Sequence, residues 1–339
     1  MVQVKKSLKS PVLLICYKRH RYLKSILNKI IKHGPPALFI ACDGPKTDAE
    51  TESVALTRDT IKKYGGKIPL YCLYHPKNLG CGAAVKHAID WFFTHNDEGI
   101  ILEDDTLPNE KFFIFLDKNL KLYRNDSEIA SISGFCPWPD FMAPKIPALR
   151  SDYFSMWGWG TWARAWNNFT REITENTYEQ YSTAINNRCL SDNEKKYWYS
   201  ILKKINRKEI DTWDYHFMFF CWANGQCHIR PSTNYIENLG FGPDATHTEV
   251  KPGFVQAQKT PLRSNATHWF LESTYFYFRH LTFLDSFNYE LVSHEIQALK
   301  AQSLILQNQI NKYKKRPFKE LLRFLSKKFH KKADPKGLN

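Results

Sequence analysis

Over residues 11–105, short apolar runs alternate with stretches of helical periodicity, and that alternation limits the fold more than any other feature of the chain. Pro11-Val-Leu-Leu-Ile-Cys16 reads as a buried strand and Tyr22 to His33 as a helix. Ala37 to Cys42 is a second strand, ending at Asp43-Gly44. A helix from about Ala49 to Tyr64 and a strand from Ile68 to Tyr74 follow. A loop carrying Asn78-Leu-Gly-Cys-Gly82 leads to a helix from about Ala83 to His95, then to the strand Gly99-Ile-Ile-Leu102. Strands that are apolar throughout, separated by amphipathic helices, need both faces of their sheet covered. The expectation is an α/β fold: a mostly parallel central sheet with helices on both faces. Ligands bind such sheets at the carboxyl ends of the strands, which brings Cys16 to Arg19, Asp43 and Glu103-Asp104-Asp105 to one crevice.

Beyond Asp105 the pattern loosens. Lys111 to Tyr123 reads as a helix and Ile129 to Ser133 as a strand. Ser155-Met-Trp-Gly-Trp-Gly-Thr-Trp162 reads as an aromatic, glycine-spaced loop leading into a short helix. Residues 174–208 are polar and helical in pattern. Asp211-Thr-Trp-Asp214 opens an apolar helix to about Ala223, followed by a short strand at Cys227 to Pro231. Val292, Ile296, Leu299, Ser303, Leu306, Ile310 and Tyr313 alternate by four and three, as a coiled-coil seam or a docked helix would. The chain divides on this reading into a catalytic domain over 1–265, a helical extension over 266–313 and a basic amphipathic tail over 314–339.

The 339 residues carry a formal net charge of +14, but its distribution is uneven. The segment from Lys312 to Asn339 holds +9 of it, so the body of the protein is only mildly basic. In the tail Phe318, Leu321, Leu322, Leu325 and Phe329 share one helical face among lysines and arginines, which suits an anionic membrane surface. No run approaches the roughly 18 apolar residues of a membrane span, and no signal-peptide pattern stands at the N-terminus. The eight cysteines show neither a CxxC pair nor zinc-like spacing. The expected location is the cytoplasm, peripheral on the inner face of the membrane.

The chemistry concentrates in acids at strand ends. Glu103-Asp104-Asp105 directly follows Ile100-Ile-Leu102, and three carboxylates there repel one another unless a cation or hydrogen-bond donors compensate. Oxygen-only ligands favour Mg²⁺ or Mn²⁺, which keep waters and bridge substrate phosphates. Gly80-Cys-Gly82 lacks the third glycine of a dinucleotide fingerprint, although the helix it opens has an N-terminus able to face an anion. Asp211 and Asp214 flank Trp213 at a helix start: one suits an N-cap, the other a general base beside an acceptor.

Taken in order, Pro-Val-Leu-Leu-Ile-Cys16, Phe-Ile-Ala-Cys-Asp43, Asn78-Leu-Gly, Glu-Gly-Ile-Ile-Leu-Glu-Asp-Asp105 with Phe112-Phe113, Gly-Trp-Gly160, Trp213-Asp214 and Ile229-Arg-Pro231 resemble segments of the GT-A glycosyltransferases. The likeness is to bacterial nucleotide-diphospho-sugar transferases and, more distantly, to the animal N-acetylglucosaminyltransferase I group, and it covers about residues 10–250. It implies a Rossmann-like GT-A domain that uses Mn²⁺ or Mg²⁺. Such an enzyme moves a hexosyl or N-acetylhexosaminyl group from a nucleotide sugar, UDP-sugars favoured, to a glycan or glycolipid acceptor in cell-surface glycan synthesis. It further implies that Asp105 binds the metal with His247 as an additional ligand, and that Asp104 lies near the donor ribose. Asp43 accepts from the nucleobase, and Cys16, Tyr17 and Arg19 line the nucleoside pocket. Asp214 becomes the inverting base. The animal relatives read Trp-Asp-Asp where this chain reads Trp213-Asp214-Tyr215, so the base stays open between Asp214 and Asp211.

Two other readings compete. A polyanion- or nucleic-acid-binding protein fits the basic tail, but the body is nearly neutral and has no recognition motif. A sugar nucleotidyltransferase of related topology would carry a glycine-rich basic loop after the first strand, where this chain has Tyr17-Lys-Arg-His20. The C-terminal helix also offers a seam for a homo-oligomer.

Overall fold

The computed structural model describes residues 8–136, 148–189 and 192–240. The chain separates into two units, Met1–Leu284 and Asp285–Asn339, and all described residues lie in the first. His247, the helical extension and the basic tail fall outside them. Among the described residues no helix is long and apolar enough to cross a membrane.

Ten strands and eight helices follow one another as β1 (Val12–Cys16), α1 (His20–His33), β2 (Leu38–Cys42), α2 (Thr51–Lys62), β3 (Leu70–Tyr74), α3 (Cys81–Phe93), β4 (Glu98–Glu103), β5 (Thr106–Pro108), α4 (Phe112–Leu122), β6 (Ile129–Ser133), β7 (Ala148–Ser151), β8 (Trp159–Trp162), α5 (Ala163–Trp166), α6 (Glu175–Arg188), α7 (Asp192–Asn206), α8 (Asp214–Ala223), β9 (Cys227–Pro231) and β10 (Ile236–Asn238). Eight strands form one sheet in the order β3-β2-β1-β4-β8-β6-β9-β7, and β10 pairs with β5 in a separate two-stranded ribbon. β1 to β4 are mutually parallel, β8 runs antiparallel to both its neighbours, and β7 is antiparallel to β9. The sheet is therefore α/β and mostly parallel, as the alternating pattern requires.

Side chains alternate between the two faces of the sheet with the strand period of two, and β2 and β6 are buried at every position. Val12, Leu14, Cys16, Leu38, Ile40, Cys42, Ile100 and Leu102 pack on one face with Leu23, Ile26, Leu27 and Ile30 of α1 and Phe112, Leu116 and Leu120 of α4. Phe39 points to the other face, where its ring lies 5.2 Å from that of Phe92 on α3. α8, α5 and β8 enclose a second, aromatic core in which Trp159, Trp166, Trp213 and Phe217 make mutual ring contacts.

Three local expectations are corrected. Trp159–Trp162 is a strand at the centre of the sheet, not a loop, because Gly160 lets α4 approach: a Cβ there would stand 3.1 Å from Leu116 and Leu120. β3 is an edge strand of partly exposed residues, Cys72 among them, and not a strand covered on both faces. α8 starts at Asp214 with Trp213 as its N-cap, so Asp211 is not the cap.

Candidate active site

The strand order reverses between β1 and β4. β1 leads by way of α1 to β2 on one side, while β3 crosses by α3 to β4 on the other, and the crevice beyond the two carboxyl ends is where such sheets receive ligands. The acidic turn hangs there. Thr106, fully buried, donates its hydroxyl to the Glu103 carbonyl and accepts from the Glu103 amide, each at 2.9 Å, which fixes Asp104 and Asp105 at the tip. β10 closes the far side: the Leu239 amide donates to the Asp105 carbonyl at 2.7 Å, and a Cβ on Gly240 would collide with the Asp105 carboxylate.

The loop after β1 answers these acids. The Tyr17 amide donates to Asp104 Oδ2 at 2.8 Å, and Arg19 Nη1 bridges Asp104 Oδ1 at 3.0 Å and Asp105 Oδ2 at 2.9 Å. Asp104 and Asp105 are only 3% and 9% exposed, so one guanidinium serves two nearly dry carboxylates with partly buried Glu103 beside them. Burial raises the Asp105 carboxyl to about 6, with Arg19 pulling it down and Asp104 adding to the rise. Burial also pushes Glu103 well above its ordinary range, helped by Asp105 and Asp104. Among the described residues, Arg19 is the cation that answers the carboxylates of Asp104 and Asp105.

The all-oxygen donor set suits a divalent cation of the Mg²⁺ or Mn²⁺ kind. Asp105, at the tip with its carboxylate packed close to Gly240, could hold such an ion. Among the described residues no three Asp, Glu, His or Cys side chains group around a single ion position. An ion at Asp105 would accordingly take water or phosphate oxygens for the remainder.

Cys16 is buried at the end of β1, where its carbonyl accepts from the Asp43 amide at 3.1 Å; it lines the crevice with its main chain. Tyr17 donates its hydroxyl to Glu50, which also takes Lys18 Nζ at 2.7 Å and the Lys46 amide at 2.9 Å. This knot joins the loops after β1 and β2 into one wall. Asp43, 7% exposed, faces chain donors on both oxygens: the Gly44 amide at 2.9 Å, the Leu79 amide at 3.1 Å and Asn78 Nδ2 at 2.9 Å. His75 Nδ1 stands 3.4 Å from Oδ1, and its other nitrogen meets His87 at 2.8 Å. A carboxylate has about four acceptor sites, so Asp43 chiefly braces the loop that opens α3.

The second pair of acids comes from the loop before α8, which carries Asp211, and from the first residue of α8, Asp214. Asp211 Oδ1 accepts from Arg171 Nη2 at 2.7 Å, and its Oδ2 would lie 2.8 Å from a Cβ on Gly80, the residue at the N-cap of α3. Asp214 accepts a hydrogen bond from the Thr212 hydroxyl. Both acids act electrostatically on Cys81, whose thiol is pushed up to about 12 by burial and by Glu103, Asp214 and Asp211. Asp214 also raises Glu103. The structure therefore brings Tyr17, Arg19, Asp43, Asp104, Asp105, Asp211 and Asp214 to one end of the sheet. Thr212 and Cys81, which lie inside motifs read for their neighbours, belong to the same region, and so does Arg171, which no motif marks in the sequence.

No family model and no curated protein matches the chain. Among solved structures, HddC from Yersinia pseudotuberculosis is 13% identical over 36% of this chain and 58% of its own, with a TM-score of 0.24. The inositol-1-phosphate CTP transferase from T. maritima is 10% identical over 46% of this chain and 69% of its own, at 0.27. UDP-glucose pyrophosphorylase complexed with UDP-glucose is 9% identical over 67% of this chain and 92% of its own, at 0.34. The chain thus spans just over half the length of HddC, and likeness at this level carries nothing about the chemistry of the site.

Proposed function

We propose that this chain is a metal-dependent, inverting glycosyltransferase that moves a sugar from a nucleotide-diphosphate donor to an acceptor hydroxyl. The observation that carries the reading is the pairing of two distinct acidic groups at one crevice. Asp104 and Asp105 stand at the β1/β4 switch point, and Asp214, from a different element, stands within electrostatic reach of Glu103. Transfer needs both: a seat for the leaving diphosphate and a separate base for the incoming hydroxyl.

In this reading the wall made by Tyr17, Lys18 and Glu50 flanks the nucleoside, and Asp104 orients the β1 loop through Tyr17 and Arg19. Asp43 shapes the pocket through Leu79 instead of touching the base directly. Bound Mn²⁺ or Mg²⁺ would neutralise charge that grows on the diphosphate as the anomeric bond breaks. Asp214 takes the proton of the acceptor hydroxyl as its oxygen joins the anomeric carbon. A UDP-sugar donor, a glycan or glycolipid acceptor and a membrane-bound tail belong to the same proposal.

The test is a thermal-shift titration with UDP in the presence and absence of Mn²⁺, followed by an assay of UDP release from UDP-hexoses. The expected result is Mn²⁺-dependent stabilisation that Asp105→Ala abolishes without unfolding the protein. Stabilisation by nucleoside triphosphate, with pyrophosphate released in the presence of a sugar phosphate, would assign the chain to the nucleotidyltransferases. Undiminished metal-dependent binding by Asp105→Ala would remove Asp105 from the metal.

A further inference from the structure

Arg171 lies in the segment between α5 and α6, 40 residues from Asp211 in the loop before α8. Its guanidinium makes a two-pronged contact with that loop. Nε donates to the Thr212 carbonyl at 2.9 Å and Nη2 to Asp211 Oδ1 at 2.7 Å. Thr212, held by its main chain, turns its hydroxyl to Asp214. The guanidinium rests on Gly82 in the first turn of α3, where any Cβ would collide with it.

Local stability does not account for this arrangement. The Asp211 side chain is 54% exposed, and ion pairs of that exposure contribute little. A cation against the N-terminus of the 13-residue α3 also opposes the helix dipole. Position does account for it. α8 is anchored by fully buried Phe217 and Phe219, so the main chain of Asp214 is fixed, and only its side chain needs orienting. Asp211 is engaged by Arg171 and faces the N-cap of α3, whereas Asp214 heads α8 and accepts from the Thr212 hydroxyl.

Resting on the transferase reading above, we infer that Arg171 and Thr212 are positioning residues that hold the Asp214 carboxylate in its productive orientation. Arg171 fixes the main chain of the loop, and Thr212 fixes the carboxylate by a hydrogen bond to its charged form. Lysine cannot replace Arg171, because a single ammonium lacks the planar fork that reaches a carbonyl and a carboxylate together.

The experiment follows UDP release from UDP-hexoses, with water or glycan as acceptor, for the wild type, Asp214→Asn, Arg171→Lys, Gly82→Ala and Thr212→Val. Gly82→Ala is the sharpest probe: alanine favours the helix, yet its methyl displaces the guanidinium. Arg171→Lys and Gly82→Ala should each lower kcat about tenfold or more, with the donor KM and the melting temperature near wild type. Thr212→Val removes a donor to the ionised carboxylate, so the acid limb of the kcat–pH profile should move up by about one unit. Glu103, Cys81 and Asp211 face the same region, and none of them is altered in that variant. Unchanged kcat in Gly82→Ala and Arg171→Lys, or an unmoved acid limb in Thr212→Val, overturns the inference while leaving the transferase reading intact. A wild type that releases no UDP overturns both, and full turnover by Asp214→Asn overturns the choice of base and with it this positioning role.

Discussion

Asp43 shows how a single side chain can be read correctly for place and differently for role. Its position after an apolar strand puts it at the ligand end of the sheet, and there it lies. What a linear pattern does not contain is the return of Asn78 and Leu79 from the next connection, which fills its oxygens. Gly44 makes the return feasible, since a Cβ would stand within 2.7 Å of the Lys77 main chain. Asp43→Asn keeps the size of the side chain but turns an N–H₂ toward these donors. Loss of hydrogen bonds to a buried charged group costs about 2 kcal/mol or somewhat more. Urea denaturation should show that loss even without nucleotide. A variant of wild-type stability but weakened nucleotide binding would return Asp43 to direct contact with the base. The place of Asp104 and Asp105 was legible for a simpler reason: the acidic triplet directly follows an apolar run that forms the buried part of β4. Arg171 was not legible, because its partner Asp211 is 40 residues away and Arg171 itself stands in no motif.

At the scale of elements, the first half of the sheet was legible because β1 and β2 are apolar throughout, β4 has an apolar centre at Ile100 to Leu102, and the helices between them are periodic. β8 was missed because Gly160 between tryptophans reads as a flexible spacer. The glycine is required instead by the closeness of the layers: a Cβ would lie 3.1 Å from the Gly99 carbonyl and from both Leu116 and Leu120. Strand propensity and packing therefore make opposite predictions for Gly160→Val. Propensity favours valine by at most about 1 kcal/mol, whereas overpacking a tight interior costs about 1–3 kcal/mol. The variant should be destabilised by about 1–2 kcal/mol, seen as a lower urea midpoint at unchanged slope. A stabilised Gly160→Val would mean that α4 can retreat from the sheet at little cost. Because β8 lies between β4 and β6, such a retreat would reach the acidic turn at the end of β4.

Across the whole molecule, buried ionisable groups pull stability in opposite directions with pH, and a metal ion would tip the balance. His228 and His216 are buried, and burial, first among the causes, lowers them to about 3 and about 4. Their depressed folded values mean that stability present above pH 6.5 is lost as pH falls, about 2 kcal/mol each between pH 7 and 5. Asp105 has the opposite sign. Its folded value of about 6 exceeds the ordinary 3.8, so its contribution is complete below pH 4 and lost as pH rises through 6. It returns about 1 kcal/mol between pH 7 and 5, and Glu103, raised by burial and its acidic neighbours, adds in the same direction. A cation at Asp105 favours the ionised form and competes with these protons. The melting-temperature increment from Mn²⁺ with UDP should therefore be largest near pH 7.5 and shrink steadily toward pH 5. Without metal, Asp105→Asn should melt above the wild type at pH 7.5, because it removes a buried charge that Arg19 only partly offsets. Near pH 5 the two should converge, since the wild-type carboxyl is by then mostly protonated. A Mn²⁺ increment of equal size at both pH values would place the ion away from this turn. An Asp105→Asn variant less stable than wild type at pH 7.5 would show that Arg19 compensates the acids without help, leaving no excess charge for a cation to answer.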